Sequence, residues 1–166
     1  FNPAGVPVAV VTGNINPPNV NAGPDVELSC LAPSAYLSGS STTPNAQLSW
    51  TSGNLGNIVS GATTGNPLVN GVASYILTVT DPANGCTATD VVTVNVNTST
   101  PTADAGPDKN LDCSVTSTTI GTVAIVGNTY SWLPSTGLNN TTIAQPTANP
   151  AVTTTYTVTV TGSNGC

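Results

Sequence analysis

Positive charge is nearly missing from this chain. Its 166 residues include no histidine and a single cationic side chain, Lys109, against seven acidic ones, for a formal charge of −6. Charged residues make up 5% of the sequence, where an ordinary soluble domain has roughly 25%. One cation cannot neutralise a run of phosphates, which excludes nucleic acid as a partner. Nor can it hold an anionic lipid surface by charge. Without histidine there is no Ser-His-Asp or Cys-His site and no His-ligated zinc. Long apolar runs are also lacking: none approaches the roughly 18 residues needed to cross a bilayer, so no membrane insertion is expected.

What fills the chain instead is hydroxyl and amide. Ser, Thr and Asn together number 63. Val and Thr lead the composition with 20 and 29 copies, and both are β-branched residues that favour pleated, half-buried strands. Leu, Ile, Val and Phe sum to 37, just above the roughly 20% of a chain below which a core is hard to build. The 16 glycines and 14 prolines interrupt the chain every few residues, and no stretch keeps a helical period. The sequence therefore predicts an all-β protein. The chain opens on Phe1 with no charged segment leading into an apolar one, as in a processed or internal piece. Four cysteines without histidine read as disulfides, which places the protein in an oxidising, extracytoplasmic setting.

The chain repeats itself. Ala22-Gly23-Pro24-Asp25 returns as Ala105-Gly106-Pro107-Asp108, and Leu28-Ser29-Cys30 as Leu111-Asp112-Cys113. Leu48-Ser49-Trp50 matches Tyr130-Ser131-Trp132, the run Tyr75–Thr80 matches Tyr156–Thr161, and Asn84-Gly85-Cys86 matches Asn164-Gly165-Cys166. Anchors in one order mark a tandem repeat. The frame divides the chain into a closing strand of a preceding repeat plus linker (1–17), a complete repeat (18–100) and a second repeat lacking its last strand (101–166). Each repeat reads as an immunoglobulin-like or PKD-like β-sandwich of short strands. In the first these fall near 26–30, 36–38, 47–51, 57–59, 68–69, 74–80 and 89–96. Alternation turns Tyr75, Leu77 and Val79 toward the core, and Tyr156, Val158 and Val160 in the second repeat. A repeat cut before its closing strand exposes a sheet edge, so a free fragment should be less stable or pair with another chain.

Four cysteines allow three connectivities. The repeat favours Cys30–Cys86 and Cys113–Cys166, one staple per repeat, because joining Cys86 to Cys113 requires a bridge between repeats. Trp50 and Trp132 share one strand position with alternating apolar neighbours. They are read, with Tyr75 and Tyr156, as core aromatics in preference to a sugar-stacking platform. Asp25, Glu27, Asp90, Asp104, Asp108 and Asp112 lie near the repeat junctions, where Ca2+ could bind through hard oxygen ligands. Their spacing matches no calcium loop, so they read as solvated turn and edge residues. No cofactor and no catalytic residue is expected.

Ala-Gly-Pro-Asp, Leu-x-Cys, the stretch from Tyr130 to Leu138, Asn149-Pro150, the run from Thr153 to Val160 and Asn-Gly-Cys together resemble the PKD/Ig-like repeats of very large Bacteroidetes surface proteins. These are the gliding-motility adhesins of the SprB type. The resemblance covers residues 18–166. It implies a non-enzymatic segment of a filamentous adhesin at the bacterial cell surface, exported by the type IX system. Its implied partners are surface polysaccharide or another extracellular ligand bound by avidity, neighbouring repeats, and the export and motility machinery. The competing expectation is a carbohydrate-binding or spacer module of a secreted multidomain enzyme.

Overall fold

The computed structural model describes residues 12–166; the strand expected at 6–11 lies outside the described residues. The chain is all-β, with eleven strands and no helix among those residues. It divides into two compact units. Among the described residues, one takes 12–27 together with Ser34–Asn95, and the other takes Leu28–Pro33 and Val96–Cys166.

The first unit is a sandwich of two antiparallel-rich sheets. Strands β1 (Val26–Ser29), β3 (Gln47–Ser52), β6 (Ala73–Thr80) and β7 (Thr87–Asn97) form one sheet in the order β1-β7-β6-β3. Strands β2 (Ala35–Tyr36), β4 (Ile58–Ser60) and β5 (Leu68–Val69) form the other, in the order β2-β5-β4. The period-two pattern of β6 works as a strand requires. Tyr75, Leu77 and Val79 are fully buried, whereas Ile76 between them is 37% exposed. Val92 and Val94 of β7, Val69 of β5, Trp50 of β3 and Leu37 complete the core. Each such side chain contributes about 1.5–3 kcal/mol by leaving water. The one polar atom carried into this core by Tyr75 is satisfied. Its hydroxyl donates to the Gly71 carbonyl at 2.8 Å and accepts the Asn57 N–H at 3.1 Å.

Two carboxylates fix β1 beside β7. Asp25 Oδ1 accepts the Thr93 N–H, and Asp90 Oδ2 accepts the Ala22 N–H, both at 2.8 Å. Both pairs are 68 residues apart, so the two segments run in the same direction. The N–H groups of Ala22 and then Val91 stabilise the ionised Asp90 and hold its carboxyl below the ordinary carboxylate range. The native group thus titrates below the unfolded one. Its contribution is complete at neutral pH and is lost as pH falls through the native value. Urea midpoints measured against pH should stay flat from neutrality down to about pH 5 and then fall. Asp90→Asn should flatten part of that acid limb; an unchanged limb would mean that Asp90 carries none of it.

The second unit repeats the pairing scheme. Strands β8 (Thr118–Thr119) and β10 (Thr147–Ala148) pair as β2 and β5 do, and β9 (Thr129–Leu133) and β11 (Thr157–Thr161) pair as β3 and β6 do. Even the register is kept: Trp132 lies opposite Val158 as Trp50 lies opposite Leu77. Depth differs. Tyr156, Val158 and Val160, expected in the core, are only half-buried. The cause is lateral. β6 is flanked by both β3 and β7, whereas β11 has β9 on one edge and no strand on the other among the described residues.

Candidate functional site

The two tryptophans occupy equivalent places. Trp50 is 3% exposed and Trp132 1%. Each indole N–H donates to a backbone carbonyl, Trp50 to Thr64 at 3.0 Å and Trp132 to Ile143 at 2.9 Å. Buried rings with satisfied N–H groups offer no face to a sugar. Each ring lies against a glycine, Gly39 under Trp50 and Gly121 under Trp132, where a Cβ would collide with the indole. Sequence reasoning missed this pairing, although the two glycines stand at matching repeat positions.

An open concavity of the second unit lies beside Trp132. It is a cleft of about 560 Å3 lined among others by Ala105, Asp108, Lys109, Leu111 and Tyr156. The hydroxyl of Tyr156, which lines the cleft, donates to the Thr136 carbonyl at 2.7 Å. The first unit shows what belongs in such a place. There Val92 and Val94 of β7 are fully buried and β7 bonds to β6 from Ala73↔Val94 to Thr80↔Thr87. Ala22 is fully buried and Leu28 is 3% exposed, whereas their counterparts Ala105 and Leu111 are only half-buried. The edge of β11 away from β9 carries no strand among the described residues, and its main-chain groups are of the kind that pair with an added extended segment.

The cysteines correct the expected connectivity. Cys30 bonds to Cys166, with their Cα atoms 5.1 Å apart, and Cys86 and Cys113 are free thiols. The expected Cys30–Cys86 and Cys113–Cys166 staples do not form, and strand direction is the reason. Because β1 and β7 run the same way, Cys30 just past β1 lies toward the Asn97 end of β7, while Cys86 precedes its first residue. At about 3.3 Å per residue the length of β7 separates them by tens of ångströms, far beyond the roughly 7 Å that a disulfide allows. What meets Cys30 is the turn ending at Cys166. The Leu31 N–H donates to the Asn164 carbonyl at 3.0 Å, and Gly165, at φ 79°, presses against Leu31 so closely that a Cβ would collide.

Asn84 and Asn164 are site residues that sequence reasoning also passed over. The Asn164 side-chain amide donates to the Asn97 and Ser99 carbonyls at 3.3 and 2.9 Å, while its Oδ1 accepts the Cys166 N–H. Asn84 likewise donates to the Asn16 carbonyl at 3.0 Å and accepts the Cys86 N–H. The signal was present in the repeated Asn-Gly-Cys.

The junction carboxylates are mostly spent on backbone. Asp104 accepts the Gly106 N–H, and Asp112 accepts the Ser114 hydroxyl and the Ser114 and Val115 N–H groups. Those donors, the Ser114 hydroxyl first, hold Asp112 below the ordinary carboxylate range. Glu27 and Asp108 are exposed. No three acidic or cysteine side chains gather to hold a metal among the described residues.

No family model matches this chain, and no curated protein sequence matches it. Among solved structures it is similar to the PKD domain of human KIAA0319, at 15% identity and a TM-score of 0.44, over 64% of this chain and 100% of that one. It is similar to an I-band fragment of titin, at 13% identity and a TM-score of 0.45, over 92% of this chain and 63% of the fragment. It is also similar to extracellular domains 3 to 5 of Drosophila OTK, at 15% identity and a TM-score of 0.39, over 91% of this chain and 59% of that one.

Proposed function

We propose that this chain is a non-enzymatic repeat segment of a filamentous adhesin, working outside the bacterial cell in surface attachment and gliding. The observation that carries the reading is repetition at every level. Sequence anchors, strand pairing, register, tryptophan seat and Asn-Gly-Cys turn all recur. A series of like units is what a filament needs, since its stability adds along the array. The resemblance to SprB-type repeats supplies the setting of gliding motility and type IX export. Attachment then comes from many weak contacts to surface polysaccharide acting together.

The test compares single copies with many. Beads displaying many copies should be retained on a polysaccharide-coated surface about 100-fold more than beads bearing isolated copies. On a glycan array the free chain should show no tight ligand. One sugar bound tightly by the free chain, and lost in Lys109→Ala at the cleft, would overturn the scaffold reading. It would favour instead a carbohydrate-binding module of a secreted enzyme.

A further inference from the structure

The disulfide that forms sets a rule for the thiols that do not. Cys30 follows the first strand of one repeat and Cys166 ends the Asn-Gly-Cys turn of the next. Cys113 is the repeat counterpart of Cys30, and Cys86 is the counterpart of Cys166. Both counterparts keep the local turn of their bonded relatives, although Cys30 follows strand β1 and no strand precedes Cys113. Near Cys30 the Ser29 N–H donates to the Ala32 carbonyl at 2.9 Å, and near Cys113 the Asp112 N–H donates to the Val115 carbonyl at 3.0 Å. The turn at Cys166 closes with Gly162 N–H on the Cys166 carbonyl, and the turn at Cys86 with Asp81 N–H on the Cys86 carbonyl, each at 2.9 Å. Gly85 holds φ at 74°, as Gly165 does at 79°.

One difference separates the two turns. A Cβ at Gly165 would collide with Leu31, whereas a Cβ at Gly85 would meet no other described residue within 4 Å. The second turn is formed, its Gly85 is exposed, and its half-buried cysteine is free. Cys113 is exposed and also free.

We propose that Cys113 and Cys86 are the two halves of a head-to-tail disulfide between copies of this repeat pair. The Asp81–Cys86 turn of one copy docks on the Cys113 segment of a second copy, as the Gly162–Cys166 turn docks on the Cys30 segment. The contact is heterologous, because each copy offers a different surface at each end, and such contacts propagate without closing. Bond formation consumes a disulfide oxidant such as oxidised glutathione. The Cys113 thiolate attacks one oxidant sulfur and expels a thiolate. The Cys86 thiolate then attacks the mixed disulfide and expels the second. Two protein thiols and one oxidant disulfide thus become one protein disulfide and two small thiols. The inference needs only the repeat and the existing staple, and stands apart from the adhesive reading.

The test uses the whole chain with Cys30–Cys166 intact, incubated with oxidised glutathione. Non-reducing electrophoresis should show a ladder of covalent oligomers. Peptide mapping should show Cys86 joined to Cys113 of another copy. Cys86→Ser or Cys113→Ser alone should form about tenfold less covalent dimer, because docking no longer brings unlike thiols together. Mixing the two variants should restore dimers and yield nothing longer. Predominant Cys86–Cys86 and Cys113–Cys113 products would overturn the proposal. So would a Cys86–Cys113 bond within one copy, or monomers carrying only glutathione adducts.

Discussion

Trp50→Ala is expected to lower the unfolding free energy by about 3–5 kcal/mol, a large part of the roughly 5–15 kcal/mol that holds a domain folded. Three losses combine. The indole leaves its place among Leu77 and the other buried side chains, and a cavity remains that a sandwich of short strands closes poorly. The Thr64 carbonyl loses its donor, which leaves an acceptor to be rehydrated. Gly39, which fits beneath the ring because it has no Cβ, is left against empty space. Trp50→Phe should cost clearly less, because it keeps most of the volume and forfeits only the hydrogen bond and part of the ring. Urea denaturation followed by far-ultraviolet circular dichroism measures both. If the two variants were equally and slightly destabilised, the ring would not be a core element at all.

Reducing Cys30–Cys166 is the second large effect. The bond spans 136 residues, and in the chain-entropy model a loop of that size restricts the unfolded chain by about 5 kcal/mol, less where the unfolded state keeps structure. The folded contacts around it should survive reduction, because the Leu31 hydrogen bond to the Asn164 carbonyl and the three side-chain hydrogen bonds of Asn164 do not need the sulfur. Destabilisation should therefore act mainly through the unfolded state. The urea midpoint should fall on adding reductant, and Cys30→Ser and Cys166→Ser should reproduce that fall without adding to it. A midpoint indifferent to reductant would mean that the staple restrains nothing the fold does not already restrain.

Much of this architecture was legible from residues. All seven strands expected in the first repeat exist, because Val and Thr alternation reports directly on which face of a strand is buried. The inward row Tyr75, Leu77 and Val79 followed from period two alone. The same logic misplaced Tyr156, Val158 and Val160, since parity tells which face a side chain takes but not whether a neighbouring strand shields it. Disulfide connectivity failed for a related reason. Repetition says that two cysteines occupy equivalent places, yet the partner of each depends on strand direction, which the Asp25–Thr93 and Asp90–Ala22 hydrogen bonds reveal and no spacing does. The glycines beneath the tryptophans were visible as letters. Their meaning needed the distance of an absent Cβ.

The staple between Cys30 and Cys166 also changes what tension does to this molecule. A pull applied between the chain before Cys30 and Cys166 itself runs from Cys30 straight to Cys166 by way of sulfur. The backbone enclosed by the bond, with a sequence separation of 136, is removed from the path. At roughly 3.5 Å per extended residue, on the order of 470 Å of slack stays locked away while the bond holds. Most of both cores, Trp50 and Trp132 included, lies inside that loop and feels no stretch. Under load the enclosed chain behaves as cargo on a short covalent tether, and its extensibility is set by sulfur chemistry instead of by the strength of its sheets.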